Sequence, residues 1–180
     1  MKVMDATEIR ATLNEICQKI VSKNQDLSKT CLVGIQRRGA ILAQRMSKII
    51  SRLCGQKLPV GRLDITLYRD DLSRISYQPI LRNTNIPFSI DDKHILLVDD
   101  VLFTGRTVRA ALDALLDLGR PARIELVVLI DRDHRELPIQ ADYVGRYLTT
   151  SSSQMVELKV EEIDRKEEVV IIDKDGQNEF

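Results

Sequence analysis

Apolar residues recur along the chain in two periods, and the switching between them predicts an α/β protein. Over residues 5–22, Ile9, Leu13, Ile16, Cys17 and Ile20 share one helical face. Asp5 followed three residues later by Glu8 has the form of a capping box, in which the two residues satisfy each other's exposed backbone N–H groups at a helix start. The run TCLVGI at 30–35 has strand length. After Gln36-Arg37-Arg38-Gly39 the helical period returns with Ile41, Leu42, Met46, Ile49 and Leu53, and Gly55 is placed to end it. Leu63, Ile65 and Leu67 then alternate with Arg62, Asp64 and Thr66, the period of a half-buried strand.

Residues 69–92 break both periods, carry Pro79 and Pro87, and read as a long functional loop. Order resumes with a strand at Ile95 to Val98 and a helical stripe of Val108, Ala111, Leu112, Leu115 and Leu118, read as core and closed by Gly119-Arg120-Pro121. Ile124 to Ile130 is a continuous apolar run, the pattern of a strand covered on both faces. The order β-α-β-loop-β-α-β predicts a mostly parallel central sheet flanked by helices. Short strands around Tyr143-Val144, Met155 to Val160 and Val169 to Ile172 are expected to add an edge or a cap. The acid-rich stretch Glu161 to Glu168 reads as a solvated face or connector.

Composition narrows the setting. At 180 residues a single domain over 1–180 is expected, and 27 basic against 27 acidic side chains leave no bulk attraction to nucleic acid or membrane, so any basic surface must be local. No apolar run reaches membrane-spanning length and the first residues lack the apolar stretch of a signal peptide, so the cytoplasm is the expected compartment. Cys17, Cys31 and Cys54 fit neither a zinc spacing nor a redox pair and are expected to be buried, reduced thiols.

The chemistry concentrates in HILLVDDVLFTGRT at 94–107. A buried strand runs into two adjacent carboxylates, Asp99 and Asp100, and then a Thr-Gly turn that opens a helix. In a parallel sheet, ligands bind beyond the carboxyl ends of the strands. There the N–H groups and positive dipole end of the helix suit a phosphate, with the Thr104 and Thr107 hydroxyls completing its shell and Gly105 letting the backbone close around it. The carboxylates would repel that phosphate, so they need another partner, either ribose hydroxyls or a divalent cation. A phosphate cradle one short loop from two acids describes a 5-phosphorylated ribose. Gln36-Arg37-Arg38-Gly39, between another strand and helix, offers a second anion site with two guanidinium groups.

ILLVDDVLFTGRT resembles the signature of the type I phosphoribosyltransferases. With VGIQRRGAILA at 33–43, DITLYRDDLS at 64–73 and DRDHRELPIQADYVG at 131–145, nearly the whole chain resembles one branch of them, the PyrR family of pyrimidine operon regulators that are also uracil phosphoribosyltransferases. The resemblance implies a type I phosphoribosyltransferase-like fold with a flexible loop at about 69–92 and a small C-terminal hood at about 131–180. It implies that residues Asp99, Asp100, Val101, Leu102, Phe103, Thr104, Gly105, Arg106 and Thr107 bind the ribose 5-phosphate of phosphoribosyl pyrophosphate (PRPP). By the same resemblance Arg37, Arg38 and Gly39 hold its pyrophosphate, through a loop whose backbone is often unusual beside the basic residue, and Arg69 reaches over from the flexible loop. Asp99, Asp100 and Arg38 are then the catalytic candidates, and Arg135 and backbone groups around Val160 serve the uracil nucleotide. Mg²⁺ would enter with PRPP and is expected to take no ligand directly from the protein, the alternative being Asp99 and Asp100.

For His134 a structural role is expected over acid-base work, since a magnesium-bound pyrophosphate needs little protonation to leave. The implied partners are PRPP, uracil, UMP and the mRNA leader of a pyrimidine operon, with assembly into a homodimer or larger homo-oligomer. Two alternatives stay open: a regulator that binds RNA and only senses UMP or PRPP, and a purine phosphoribosyltransferase sharing the PRPP motif. Asn14, Gln18 and Gln140 stand where RNA-binding members carry basic or hydroxyl side chains, and Arg146 with Lys48 or Arg52 would have to supply a basic patch.

Overall fold

A computed structural model of the chain describes residues 1–69 and 84–173. The elements are β1 (Lys2–Asp5), α1 (Ala6–Lys23), β2 (Thr30–Ile35), α2 (Arg38–Cys54), β3 (Val60–Leu63), a 3-10 turn (Thr66–Tyr68), β4 (His94–Leu102), α3 (Arg106–Leu118), β5 (Arg123–Arg132), β6 (Tyr143–Leu148), β7 (Gln154–Lys159), α4 (Glu161–Asp164) and β8 (Glu168–Asp173). Five strands form one sheet in the order β3-β2-β4-β5-β6, every neighbouring pair parallel. Their carboxyl ends therefore share one edge. A second, antiparallel sheet runs β1-β8-β7.

Because side chains alternate across a strand, the central sheet divides the core in two. Leu32, Leu96, Val98, Val127 and Leu129 face α1, α2 and the small sheet. Cys31, Val33, Ile95, Leu97 and Val128 face Val108, Ala111 and Leu115 of α3. The capping box forms: Asp5 Oδ1 accepts from the N–H of Thr7 at 2.8 Å and of Glu8 at 2.9 Å, while Glu8 Oε2 accepts from the Asp5 N–H at 2.9 Å.

Several expectations shift. The strand predicted over 62–67 ends at Leu63, because Asp64 caps a turn: its Oδ1 accepts from the Thr66 N–H at 3.0 Å and hydroxyl at 2.5 Å. Leu67 and Leu118, taken as inward-facing, are 40% and 48% exposed. Of the proposed loop, residues 84–92 pack onto the body of the protein, with Asn85 bridged to Arg62 and Ile90 buried beside α3; residues 70–83 lie outside the described residues. β6 joins the main sheet, and the small sheet recruits β1, a strand the sequence did not announce. The acidic stretch is largely exposed and connects β7 to β8, as expected, though Glu162 and Glu167 also engage Arg45 of α2. Cys17 and Cys31 are buried and free, their thiols pushed up by burial to about 12 and about 11, whereas Cys54 is exposed.

At the amino ends of the strands, opposite the ligand edge, Glu125 is almost fully buried. It is held by Lys23 Nζ at 3.2 Å, His94 Nε2 at 2.8 Å and Arg123. Burial works to raise its pKa, but the hydrogen bonds and charges of Lys23, Arg123 and His94 win and hold it below the usual range. A depressed folded-state pKa adds stability above the unfolded value of about 4.3 and loses it as pH falls further, through the folded one. Breaking a buried ion pair costs about 3–5 kcal/mol, but Lys23 and Arg123 are half exposed and regain water. Glu125→Gln should therefore lower stability by about 1–2 kcal/mol at pH 7. In urea melts across pH, the gap to wild type should close as pH falls below about 4.

Candidate functional site

The carboxyl ends of β2, β3 and β4 surround a polar cleft of about 360 Å³. Among the residues lining it are Arg37, Arg38, Arg69, Asp99, Asp100, Val101 and Thr107, so the fold brings together groups far apart in sequence. Gln36, Asp64 and Thr66 line it as well. The sequence named Gln36 with its loop but passed over Asp64 and Thr66, because it placed them on the outer face of a continuing strand. Their signal was the Asp-x-Thr turn chemistry at the strand's end.

β4 does not stop at the acids but carries them, pairing Asp99 with Val128 and Leu102 with Asp131. Consecutive residues on a strand face opposite ways, so the two carboxylates are not equivalent. Asp99 is buried and its Oδ1 accepts from the Asp100 N–H at 2.9 Å; Asp100 is half-buried at the cleft, its Oδ1 accepting from the Val101 N–H at 3.0 Å. Burial, then the charge and hydrogen bonding of Asp100, push the Asp99 carboxyl well above the usual carboxylate range. Asp99 is thus the buried acid of the pair and Asp100 the more open one, and both line the cleft.

Gly105 has φ of 91°, a left-handed conformation that favours glycine, and forms the cap of α3. The first turn of α3 carries backbone N–H groups without intrahelical partners, which an anion at this end can use. Thr104 Oγ1 accepts from the Arg106 N–H at 3.3 Å, and Arg106 Nε donates to Glu136 at 2.6 Å. Leu102 is buried in the core on the α3 side and the Phe103 ring packs under Arg132, so these two contribute backbone path rather than side chains to the loop. On the other side, the peptide bond Gln36-Arg37 is cis. Gly39 sits hard against β4: a Cβ there would lie 2.5 Å from the Val98 carbonyl oxygen.

The model of the phosphoribosyl transferase domain matches residues 3–163 of the chain. The chain is 52% identical over 172 residues to the bifunctional protein PyrR of Pelotomaculum thermopropionicum, covering 96% of this chain and 95% of the relative. It is 53% identical to the PyrR of Thermus aquaticus over 175 residues, 97% of each, and 54% identical to that of Caldicellulosiruptor bescii over 170 residues, 94% and 93%. The chain belongs to the PyrR family. Solved structures show the shared fold at greater distance. A hypoxanthine phosphoribosyl transferase of Trypanosoma cruzi superposes with a TM-score of 0.75 at 18% identity, covering 98% of this chain and 92% of that one. One from Staphylococcus aureus gives 0.71 at 21% identity, covering 94% and 90%.

Within this PyrR-family chain, three implied site residues have other occupations. The Arg38 guanidinium is taken by the small sheet and α4: Nη2 reaches Glu157 at 3.1 Å and Asp164 Oδ1 at 3.0 Å, and Nε reaches Asp164 Oδ2 at 3.3 Å. Its charge is compensated there, which leaves exposed Arg37 as the cation facing the cleft from this loop. Arg135 donates to the carbonyls of Ile139 (3.0 Å), Phe103 (2.7 Å) and Arg132 (2.8 Å) and to Asp131, so it staples loops together. Val160 is buried; its N–H donates to Asp164 Oδ2 at 2.8 Å and its carbonyl accepts from Ile163 and Asp164. His134 Nε2 donates to the Thr150 carbonyl at 2.8 Å, a structural contact.

No group of three or more His, Cys, Asp or Glu side chains placed to hold a metal occurs among the described residues. Asp64, Asp99 and Asp100 do line one cleft, and hard carboxylate oxygens of this kind suit Mg²⁺ that keeps oxygens of its substrate.

Proposed function

We propose that this chain transfers the phosphoribosyl group of PRPP to N1 of uracil, giving UMP and pyrophosphate, and that it also regulates pyrimidine biosynthesis by binding mRNA in response to UMP. What carries the reading is the identity of about half the residues, over nearly the full chain, to proteins called bifunctional protein PyrR. The cleft geometry supports it independently, with an acid pair one short loop from a helix start.

The C1–O bond to pyrophosphate breaks with its electron pair leaving on the pyrophosphate, uracil N1 forms the new bond to C1, and the N1 proton passes to solvent. Positive charge develops on the ribose ring, and Asp100 offsets it while holding a ribose hydroxyl. The α3 terminus and Thr107 fix the 5-phosphate, and Arg37 takes up charge on the departing pyrophosphate. Bound Mg²⁺, held by Asp100 and the substrate's own oxygens, would supply further charge neutralisation. Incubation with PRPP and Mg²⁺ should yield UMP from uracil and no nucleotide from hypoxanthine or adenine, by chromatography. A purine nucleotide in place of UMP would overturn the base assignment. Chelating Mg²⁺ should abolish turnover, and adding it back should restore it.

The regulatory half draws on one observation that a formal net charge of zero conceals. A groove of about 690 Å³ between α1 and α2 is bordered by Arg10, Lys48 and Arg52, with Lys57 nearby. Phosphate contacts by such side chains dominate RNA affinity. A gel-shift with a pyrimidine operon leader should show a complex that UMP strengthens; no UMP-dependent shift at low salt would leave an enzyme alone. The cytoplasm and a homodimer or larger assembly are the setting this reading carries. No helix among the described residues is long and apolar enough to cross a membrane.

A further inference from the structure

The 3-10 turn that follows β3, Thr66–Tyr68, has no buried residue, and Leu67 at its centre is 40% exposed. Apolar packing alone therefore does not place it, although the Tyr68 side chain leans on the α3 side of the core. Polar contacts hold it at both ends. At the start, Asp64 Oδ1 accepts from the Thr66 N–H, and the Asp64 N–H donates to Thr84 Oγ1 at 3.0 Å. At the end, Tyr68 is taken twice by α3: its carbonyl accepts from Arg109 Nη2 at 2.9 Å, and its hydroxyl donates to Asp117 Oδ2 at 2.6 Å.

Arg109, Asp113 and Asp117 recur at every fourth residue of α3 and so share one face of it, and Arg109 Nη1 is itself fixed by Asp113 Oδ2 at 2.8 Å. Tyr68 lies along that face as a strut. The next residue in the chain, Arg69, lines the cleft with Arg37, Asp100 and Thr107. The helix that grips Tyr68 is also the one whose first turn offers N–H groups to an anion, and Arg109 belongs to that first turn, its own N–H donating to the Gly105 carbonyl at 2.9 Å. One rigid helix thus fixes two parts of the cleft in a common frame: the phosphate turn and, through Tyr68, the backbone that carries Arg69.

We propose that Tyr68, clasped by Arg109 and Asp117, is a positioning residue that sets Arg69 against the pyrophosphate of PRPP. This rests on the PRPP reading above. An arginine loses much side-chain and backbone freedom when it grips an anion, and anchoring the residue before it reduces that cost in advance. The pyrophosphate is held before and after its bond to C1 breaks. A misplaced Arg69 therefore weakens the binding of PRPP and of pyrophosphate more than it slows the chemical step.

The test combines steady-state kinetics of UMP formation, inhibition by magnesium pyrophosphate, calorimetric titration of ribose 5-phosphate and melting curves. Tyr68→Phe removes the hydroxyl and keeps the ring, so KM for PRPP and the inhibition constant of pyrophosphate should each rise about fivefold, the scale of one net hydrogen bond. Its kcat should change by less than about twofold, and ribose 5-phosphate affinity and melting should stay as in wild type. Asp117→Ala should match it, and Asp117→Asn, whose carbonyl still accepts from the hydroxyl, should keep most of the affinity. In an Arg69→Ala background Tyr68→Phe should have no further effect, because the hydroxyl acts through that guanidinium. A KM for PRPP within about twofold of wild type in Tyr68→Phe, an undiminished effect in the Arg69→Ala background, or an equal loss of ribose 5-phosphate binding would overturn the assignment. If magnesium pyrophosphate failed to inhibit the wild type, the PRPP reading would fall instead.

Discussion

Asp100→Asn is expected to lower kcat for UMP formation by at least about a hundredfold, in line with removal of one preorganised electrostatic group from a reacting centre, with little change in thermal unfolding. The reason lies in the two acids' different places on β4. Asp100 is the half-buried one, at the cleft, and Asn keeps its shape and its acceptor oxygen for the Val101 N–H. What Asn lacks is charge, which matters when the ribose becomes cationic and far less when substrate is only bound. The loss should therefore appear in kcat, with KM for PRPP changed by less than about tenfold. Steady-state rates and melting curves on the same preparations check this, and near-normal kcat would remove Asp100 from the mechanism. Asp99 would not make so clean a test, because it is buried beneath its neighbour and its replacement disturbs the strand.

Gly39→Ala is expected to destabilise the protein by about 3 kcal/mol, the upper end of what a small overpacking change costs, and to lower activity with it. The new Cβ would stand 2.5 Å from the Val98 carbonyl oxygen and 3.1 Å from the Asp99 Cα. Those are backbone atoms of a central strand paired on both sides, so the clash cannot be relieved by turning a side chain. Relief must come from moving the start of α2 away from β4, which displaces Arg37 from Asp100 across the cleft. Urea denaturation reads the first effect and the uracil assay the second. A variant of wild-type stability would show that the loop and strand can separate without cost.

Much of the architecture was legible because burial imposes periodicity. β2, α2, α3 and β5 were visible as apolar runs or stripes, and the right-handed logic of alternating strands and helices placed their carboxyl ends on one edge. β1 was not, since a strand of four residues with one fully buried side chain, Met4, has no period to read. β3 was overextended because Ile65, although buried, belongs to a turn organised by Asp64. Leu118 was taken for core from its spacing, but it falls at the very end of α3, beyond the sheet that covers Leu115.

By itself, the order of residues determined the α/β class, the pairing of two acids with a phosphate-type turn, and the resemblance to PyrR, because these depend on local spacing and on types of side chain. Partnership was decided only in three dimensions. Arg37 and Arg38 are adjacent, chemically identical and both at the cleft, yet Arg37 is exposed while the Arg38 guanidinium is bound by Glu157 and Asp164, more than a hundred residues away. Asp99 and Asp100 differ for the same reason, since the pleat of one strand buries one at the cleft wall and leaves the other more open. Whether a charged group is available for chemistry depends on what else the fold has placed beside it, and that is a property of long-range packing.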